Sequence, residues 1–451
     1  MPSKGSTKLL VAAMAVVATS GLLTLPAGAA NEESSLTGDS YEIPDPVPGG
    51  FASWSDLMSV QNSLNRRADE ITETAEAAGV ANGLGSIIVS APMRRIDLYW
   101  KGSLPSSVLA LVDDLPSGQS VKVHDASYTL AQLKEAAAPL TQQAASSDGT
   151  RIVRITPRPE ADGLEIGVVG NVDAARNLTA VAKMGIPSTI VNDGGVAPES
   201  GNRDGEFAPY HGGGGVWRYK ESKAVSYNMC STGFAVSMGY NSDGIITANH
   251  CGRASENAPP YDDSMYIADS MNSNLYTAGS RNFSSVERDI STYKLSGTYK
   301  AKAEIFRGAV GSTFSSPVTG SLGVYLGDYV CTSGAMTGEH CSITVDRVWD
   351  TILTGDDDEI HWRYEMASGR NQLPGAIASG GGDSGGPVFT PNSYGVTAMG
   401  VISYGDVVHV PCESTKFNAG TWPVQTICYN RVGFQPINAA TLRAGVTLKT
   451  S

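Results

Sequence analysis

The sequence predicts two parts of different fold class, an α+β part towards the N-terminus and an all-β part towards the C-terminus. Beyond residue 216, short runs of β-forming residues alternate with turns of Gly, Ser and Asn. Before residue 190, such runs alternate with segments of helical periodicity. All six cysteines lie at or beyond Cys230, so the two parts also differ in their covalent chemistry.

The composition excludes several classes of protein. Of the 451 residues, 41% are apolar and 17% are charged, which does not fit a disordered polyelectrolyte. The net charge of −13 argues against a general binder of nucleic-acid phosphates, because that function needs clustered Lys and Arg. The 51 glycines show no period of three, which excludes a collagen-like chain. The cysteines have no zinc-type CxxC spacing.

Residues 1–30 have the features of a secretory signal peptide. Lys4 and Lys8 precede an apolar stretch from Leu9 to Leu25, and small residues follow it. An uncleaved membrane anchor is the alternative, but the stretch is short and interrupted for a span of about 20 residues. We therefore expect a secreted, extracellular protein, in which paired cysteines form disulfides.

The cysteine-free segment that follows is predicted to alternate between helices and strands. The predicted elements are a helix at 53–78, strands at 86–89 and 96–100, a helix starting near Pro105, a strand at 121–124, a helix at 130–138, strands at 151–155 and 164–169, and a helix at 173–183. The order strand, strand, helix occurs twice and indicates an internal repeat. Residues 194–215 are rich in Gly and predict an exposed linker.

The most specific signal is the hexapeptide GDSGGP at 382–387. A nucleophilic serine needs hydrogen-bond donors aimed at the negative oxygen that develops during acyl transfer. Glycine tolerates the backbone angles that would point the N–H groups of Gly382 and Ser384 into one oxyanion hole. A glycine-rich turn without chemistry is the alternative, and the length of the match makes it the weaker one.

A second signal, TANHC at 247–251, offers a general base. His250 follows an apolar strand and stands beside a cysteine. A Cys230–Cys251 bridge would fasten the loop that carries this histidine. A purely structural histidine in a stapled turn is the alternative.

The third group must be a carboxylate that orients the imidazole and stabilises its cation. Asp289 opens the β-type run at 290–295 and is the best candidate. Asp262, Asp263 and Asp269 also lie between the histidine and the serine, in loop-like sequence where solvated carboxylates are the rule.

The order His250, Asp289, Ser384 separates two classes of hydrolase. The hexapeptide also fits the G-x-S-x-G elbow of lipases and esterases, which requires the order serine, acid, histidine. Only His409 follows the serine, and the remaining sequence shows little helical pattern. The elbow is therefore disfavoured.

Four motifs together resemble those of the chymotrypsin-like serine proteases. They are CSTGF at 230–234, TANHC at 247–251, DIST at 289–292 and GDSGGP at 382–387. The C-x9-C spacing at 331–341 is similar to the bacterial branch that contains streptogrisins and alpha-lytic protease. The segment IDLYWKG at 96–102, followed by Pro105, resembles part of the pro-regions of that branch.

The resemblance implies a catalytic domain at 206–451, made of two six-stranded antiparallel β-barrels with the site in the cleft between them. It implies an α+β pro-region at 31–205 that assists folding, inhibits the enzyme and is then removed. The product would be a monomeric, secreted serine endopeptidase that acts on proteins or peptides. We expect no cofactor, no metal, no nucleic-acid partner and no stable membrane anchor.

The resemblance also assigns roles within the site. Ser384 would attack the peptide carbonyl, His250 would transfer the proton and Asp289 would orient the imidazole. The strand Ser403–Tyr404–Gly405 would pair with the extended substrate backbone.

Ala378, six positions before the serine, would lie at the base of the first specificity pocket. Because it is uncharged, we expect cleavage after apolar residues. Asp406, near the same wall, is the residue that opposes this expectation.

One position departs from the family pattern. Thr332 stands where the bacterial branch usually has a basic partner for the aspartate before the catalytic serine. A buried, unpaired carboxylate is costly, so Asp383 needs another donor. Arg363, Arg370 or a new N-terminus are the candidates.

The remaining cysteines also depart in part from the pattern. Cys331 and Cys341 would form one disulfide, as the C-x9-C resemblance implies. Cys412 and Cys428 both follow the serine, whereas relatives often bridge from just before it. We expect these two to close a loop near the pocket.

The competing function is that of a non-catalytic secreted homologue, which keeps the fold for binding. Such a protein has no need of a complete triad.

The acidic run at 356–359 offers oxygen ligands for calcium. It lacks the spacing of a known calcium loop and is typical of a solvated surface loop.

Overall fold

The N-terminal part of the chain folds into two small units and one long helix. A computed structural model of the chain describes residues 46–451 apart from 144, 147–148, 194–195, 198–207, 219–227, 240–241, 253–263, 269–274, 298, 357–358, 407–408 and 413–425. The predicted signal peptide, Asp262, Asp263, Asp269 and half of the acidic run lie outside the described residues. The elements of the N-terminal part are α1 (Trp54–Ala77), β1 (Leu84–Ser90), β2 (Arg95–Trp100), α2 (Ser106–Asp113), β3 (Ser120–Asp125), α3 (Leu130–Ala137), β4 (Arg151–Pro157), β5 (Leu164–Val169), α4 (Val172–Ala175), α5 (Thr179–Ala182), β6 (Ser188–Asn192) and β7 (Val196–Ala197).

The two units share one topology. Strands β1 and β2 are antiparallel, and β3 returns parallel to β2 after helix α2. Strands β4 and β5 are likewise antiparallel, and β6 returns parallel to β5 after α4 and α5. This confirms the predicted repeat. The single helix predicted at 173–183 is instead two short helices, because Leu178 has an extended ψ of 133° that interrupts the helical path.

Helix α1 begins where the sequence predicts it. The hydroxyl oxygen of Ser53 accepts a hydrogen bond from the backbone N–H of Asp56 and caps the first turn. Leu57, Leu64 and Ile71 recur every seventh residue and are fully buried on one face. In the part of the chain that the structure describes, no helix is both long enough and apolar enough to span a bilayer.

The C-terminal part is built almost entirely of strands, which confirms the predicted fold class. Its strands are β8 (Tyr210–Gly212), β9 (Gly215–Arg218), β10 (Asn228–Ser231), β11 (Ala235–Ser237), β12 (Asp243–Thr247), β13 (Ser264–Ala268), β14 (Leu275–Ser285), β15 (Ile290–Leu295), β16 (Ala301–Phe306), β17 (Ser315–Ser321), β18 (Tyr329–Gly334), β19 (Gly338–Asp356), β20 (Glu359–Asn371), β21 (Ser379–Gly380), β22 (Pro387–Asn392), β23 (Gly395–Asp406), β24 (His409–Val410), β25 (Cys428–Tyr429), β26 (Arg431–Pro436) and β27 (Thr447–Leu448). Helix α6 (Ile437–Ala444) lies between the last two strands.

These strands form two main sheets. The first has eight strands in the order β10-β9-β13-β14-β15-β12-β11-β27. The second follows the path β6-β5-β4-β19-β18-β22-β23-β17-β16-β8, with β7, β20 and β26 paired beside it. Because β4 to β7 come from the N-terminal part, the second sheet crosses the boundary predicted near residue 205. Two six-stranded barrels remain a prediction for the C-terminal part alone.

The N-terminal part therefore shares both a sheet and a core with the C-terminal part. Strand β4 pairs antiparallel with the long strand β19, at Ile155↔Thr351. Trp54, Leu57 and Met58 of α1 belong to the same buried apolar cluster as the interior of β11, β12, β18 and β22. Burial of apolar side chains thus stabilises the two parts jointly.

The prediction of an exposed linker at 194–215 is wrong for most of residues 210–215. The described residues of this segment include the short strands β7 and β8 and the start of β9, and Tyr210, Gly212 and Gly215 are buried, whereas Pro209 is exposed. A Cβ atom added at Gly212 would lie 2.1 Å from the carbonyl oxygen of Gly233. Close packing of two backbone segments therefore requires glycine at this position. A glycine-rich sequence can thus indicate close packing as well as a flexible linker.

Candidate active site

Three separate strand ends bring together the residues predicted to form the triad. His250 lies in a 3-10 turn, Asn249–Cys251, directly after β12. Asp289 precedes the first residue of β15, and Ser384 lies in the turn between β21 and β22. Strands β12 and β15 are neighbours, paired at Thr247↔Ser291, so the histidine and the aspartate leave the same edge of the first sheet.

The three side chains form one continuous hydrogen-bonded chain. The distance from Nε2 of His250 to Oγ of Ser384 is 2.8 Å. On the other side of the ring, Nδ1 lies 2.8 Å from Oδ2 and 3.0 Å from Oδ1 of Asp289. The backbone N–H of His250 also donates to Oδ1 of the aspartate, at 2.9 Å. The serine oxygen thus faces an imidazole whose orientation is fixed by the aspartate on its other side.

The aspartate is buried and yet favours its charged form. Burial by itself raises the pKa of Asp289, but the neighbouring charges of Arg363 and His250 and hydrogen bonds from His250 and Ser403 hold that pKa below its usual value. The hydroxyl of Ser403 donates to Oδ2 at 2.6 Å, and Nη1 of Arg363 lies 2.9 Å from the same oxygen. Asp289 also adopts a φ of 48°, which aspartate tolerates better than most residues.

The aspartate beside the serine is satisfied without an arginine. Asp383 is fully buried and accepts hydrogen bonds from the backbone N–H groups of Gly380, Met336 and Thr337, at 2.7, 2.9 and 3.0 Å. The hydroxyl of Thr337 donates to it as well. The candidate partner Arg363 is instead paired with Asp289. Sequence analysis did not identify these donors, because three of them are backbone amides, and the residue types do not show which amides face Asp383.

Thr332 occupies the position of the family's basic residue, but its hydroxyl bonds to a carbonyl oxygen and not to Asp383. Its hydroxyl donates to the carbonyl oxygen of Ala378 at 2.7 Å. Thr332 thereby ties strand β18 to the segment that leads into the serine turn.

Ser231, at the end of β10 in the first sheet, forms hydrogen bonds to the turn that carries the serine. The backbone N–H of Ser231 donates to the carbonyl oxygen of Ser384 at 2.7 Å, and its hydroxyl donates to that of Gly382 at 2.8 Å. Gly382 has a φ of 100°, a conformation that glycine adopts easily. Because Ser231 follows Cys230, which is bonded to Cys251, one disulfide links the supports of the serine and the histidine.

The residues predicted to bind substrate occupy different environments. Ala378 is fully buried in an apolar cluster with residues such as Val330 and Ile343. The hydroxyl of Ser403 contacts the triad aspartate and Arg363. The side chain of Tyr404 is buried as well.

Gly405 and Asp406 lie at a strand edge that is occupied in the full chain. They pair antiparallel with Ala197 and Val196 of β7, which comes from the N-terminal part. The Asp406 carboxylate lies 3.8 Å from Arg370 and 3.7 Å from Arg431. These two cations offset the negative charge that opposes a preference for apolar residues.

All six cysteines form disulfides, paired Cys230–Cys251, Cys331–Cys341 and Cys412–Cys428. Two groups of potential metal ligands occur among the described residues, and each includes a disulfide-bonded pair of these cysteines. Disulfide sulfurs are not thiolates, so neither group offers a soft metal its preferred ligands.

Comparison with known proteins gives one family match. Residues 215–427 match the family model described as Trypsin. Among solved structures, protease A of Thermobifida fusca is 26% identical and covers 53% of this chain and 98% of its own, with a TM-score of 0.37. A chymotrypsin of Cellulomonas bogoriensis is 22% identical over 53% of this chain and 98% of its own, with a TM-score of 0.36. A Nocardiopsis protease is 19% identical over 53% and 98%, with a TM-score of 0.35.

A search of curated proteins gives no match. The matched segment carries His250, Asp289 and Ser384. This segment is therefore similar to the trypsin-like serine proteases.

Proposed function

We propose that the chain is the precursor of a secreted serine endopeptidase. The observation that carries this proposal is the hydrogen-bonded chain from Asp289 through His250 to Ser384, with 2.8 Å on each side of the imidazole. A trypsin-like domain needs this arrangement for acyl transfer, and a binding protein does not.

The proposed reaction proceeds through a serine ester. Nε2 of His250 takes the hydroxyl proton of Ser384 as Oγ bonds to the peptide carbonyl carbon. The carbonyl oxygen becomes negative and is stabilised by the N–H groups of Gly382 and Ser384. The imidazolium then gives its proton to the leaving amine, the C–N bond breaks, and the ester remains.

The second half of the reaction repeats these steps with water. His250 takes a proton from a water molecule as the water oxygen attacks the ester carbonyl carbon. The C–O bond to Ser384 breaks, and the proton returns to the serine oxygen. Asp289 stays ionised throughout, and it orients the imidazole and stabilises its cation.

The N-terminal part, 31–205, is proposed to be a pro-region that inhibits the domain at 206–451. Strand β7 pairs with the edge of β23 at Gly405 and Asp406, where an extended substrate would add a strand. In the full chain Ser384 has no exposed surface. Both observations support a site that is closed until the N-terminal part is removed.

The same contacts support a second role for the N-terminal part, in folding. The strands of the C-terminal part pair over long sequence distances, which makes their folding slow. Docking of β4 on β19 and of α1 on the shared core would stabilise these pairings early. Three disulfides in the C-terminal part support secretion into an oxidising environment.

A chemical label tests the proposal directly. The secreted wild-type protein should hydrolyse casein and react with a fluorophosphonate probe. Ser384→Ala should do neither, whereas Ser393→Ala, at an exposed serine in the loop after β22, should match the wild type. A folded wild-type protein that binds peptides without cleaving them or reacting with the probe would instead indicate the non-catalytic homologue.

Residue preference is a separate proposal. We expect cleavage after apolar residues, because Asp406 is paired with two arginines and Ala378 carries no charge. Mapping of cleavage sites in a peptide library tests this, and dominant cleavage after Lys or Arg would contradict it.

A further inference from the structure

A buried arginine contacts the triad from behind. Arg363 lies on β20, the second strand of the long β19–β20 hairpin, opposite Ile352 in the strand register. Its side chain is 1% exposed, and so is that of Asp289. A guanidinium buried to this degree is costly unless an anion compensates its charge, and the compensating anion here is the triad carboxylate.

The contacts concentrate on one oxygen of Asp289. Its Oδ2 lies 2.9 Å from Nη1 of Arg363, 2.6 Å from Oγ of Ser403 and 2.8 Å from Nδ1 of His250. The arginine also donates to Oγ of Ser403 at 2.8 Å. Arginine, serine and aspartate thus form a closed triangle, and the imidazole is the fourth group that shares the same oxygen.

This geometry gives the carboxylate two cationic neighbours whenever His250 is protonated. The positive charge of Arg363 is fixed, because guanidinium does not lose its proton in proteins. It therefore offsets part of the negative charge that would otherwise stabilise the imidazolium. An aspartate without this partner would make the histidine easier to protonate.

We propose that Arg363 is a positioning residue that locks Asp289 in its charged form and weakens the basicity of the triad, which keeps the enzyme active at more acidic pH. This inference rests on the proposed proteolytic function. The arginine does not touch substrate; it acts through the aspartate and through Ser403.

Arg288, Glu365 and Lys134 are charged groups near this pair that form a separate network. Glu287 and Arg288 lie on the loop of the aspartate itself, and Arg288 pairs with Glu365 of β20 at 2.5 Å. Lys134 of α3 lies 3.3 Å from that same glutamate. Among the described residues, the side chains in contact with the Asp289 carboxylate are thus Arg363 from β20, Ser403 from β23 and His250 from the turn after β12.

The test measures kcat/KM against pH for the activated enzyme and for Arg363→Gln. The acid limb of this profile reports protonation of the free enzyme's base. We expect the acid limb to move to higher pH by about one unit in Arg363→Gln. The expected size follows from the effect of an adjacent opposite charge on a carboxylate, whose pKa it shifts by about 1–3 units. Arg363→Lys keeps the charge and should restore much of the wild-type profile.

A matched control separates this role from structure. Arg307 is a second buried arginine, paired with Glu339 at 2.7 Å and at most 5% exposed. Arg307→Gln should lower the thermal midpoint without moving the acid limb. The same absence of movement in a folded Arg363→Gln would overturn the inference.

Variants that do not fold, and a wild-type protein without activity, also test the inference. If Arg363→Gln does not fold, Arg363→Met, uncharged and apolar, replaces it with the same expectation. Failure of both to fold would assign Arg363 to stability alone and would overturn the inference. A wild-type protein without hydrolytic activity would instead refute the proposed function, which keeps the two failures distinguishable.

Discussion

The candidate active site and the surface that α1 covers both bury carboxylates, but the pKa values of these carboxylates are shifted in opposite directions. In the candidate active site, Asp289 lies against Arg363 and His250, and despite burial these charges hold its pKa low. Under α1, Asp328 is fully buried against neutral donors, and burial raises its pKa well above the usual value. Asp69 of α1 follows the same pattern, with a pKa raised by burial.

The contacts explain this difference. Nδ2 of Asn65 donates to Oδ2 of Asp328 at 2.9 Å, and the backbone N–H of Tyr325 donates to the same atom at 2.8 Å. The hydroxyl of Tyr325 donates to Asp69 at 2.5 Å. None of these donors carries a charge, so ionisation of either aspartate is not offset within the contact.

The two environments should therefore respond to pH in opposite ways. A carboxylate paired with an arginine keeps one state over a wide range of pH. Carboxylates buried among neutral groups favour their protonated form, so the contact weakens as pH rises. Asp350, which accepts a hydrogen bond from Thr156 of β4, also has a pKa raised by burial, although the charge of Arg154 and other nearby cations acts to lower it.

Removing the charge of one carboxylate in each region should give the largest contrast. Asp289→Asn should lower kcat about 10⁴-fold, because the amide favours the wrong imidazole tautomer. Asp328→Asn should leave kcat of the activated enzyme within twofold of the wild type. Steady-state assays on a peptide substrate measure both. A loss below tenfold in Asp289→Asn would remove that residue from the triad.

The disulfide next to His250 should give the next largest effect. Replacing both Cys230 and Cys251 by Ala should lower the free energy of unfolding by about 2–5 kcal/mol, since the bridge closes a loop between residues 21 apart. Urea titration in a Ser384→Ala background, which prevents self-digestion, measures this. Unchanged stability would mean that the bridge adds nothing to the support of His250.

The interface should show a pH dependence of defined sign. Because the pKa of Asp328 is raised from 3.8, its contribution to stability is complete below about pH 4 and is lost as pH rises through the raised value. Each such proton gives a slope of roughly 1.4 kcal/mol per pH unit within that window.

Urea titrations of the full chain in the Ser384→Ala background, repeated from pH 4 to 8, measure this slope. Asp328→Asn should flatten it, although Asp69 and Asp350 keep part of it. Like charges nearby, Glu70 and Glu73 on α1, act in the same direction on Asp69. Stability that rises with pH over this range would contradict the contrast between the regions.

The smallest predicted effect concerns a helix cap in the disulfide-free part. Thr129 caps α3 in a reciprocal capping box with Gln132, in which the backbone N–H of each residue donates to the side chain of the other. Thr129→Ala should cost about 1 kcal/mol, measured by the same urea titration. Thr129→Ser keeps the hydroxyl and should cost less. Equal losses in the two variants would show that the cap does not contribute.

Local motifs made the contact between His250 and Ser384 predictable from the amino-acid sequence. The hexapeptide at 382–387 and the pentapeptide at 247–251 each encode a turn whose chemistry depends on adjacent residues. The repeat in the N-terminal part was also predictable, because its period of strands and helices is local. Asp289 was identified by the strand that follows it.

Contacts set by strand register were not predictable. The β19–β20 hairpin contains three register shifts, between Val345 and Arg347, between Arg347 and Asp350, and between Asp350 and Ile352. A slip of one residue turns every side chain to the opposite face of a sheet. The sequence therefore could not show that Arg363 faces Asp289 rather than Asp383.

Spacing along the chain does not predict how Ala378 packs either. Ala378 lies six positions before Ser384, but its side chain packs into an apolar cluster of the second sheet. Direction in space depends on how β21 pairs with β25, at Ser379↔Tyr429, which is a non-local contact.

In the proposed reaction, Oγ of Ser384 forms a covalent ester during peptide hydrolysis. The most direct measurement is a pre-steady-state assay with a slowly deacylating ester substrate, followed by mass spectrometry of the trapped protein. We expect a burst of one equivalent per active enzyme and an acyl group on the peptide that contains Ser384. Hydrolysis without a burst, or an acyl group on a different residue, would contradict it.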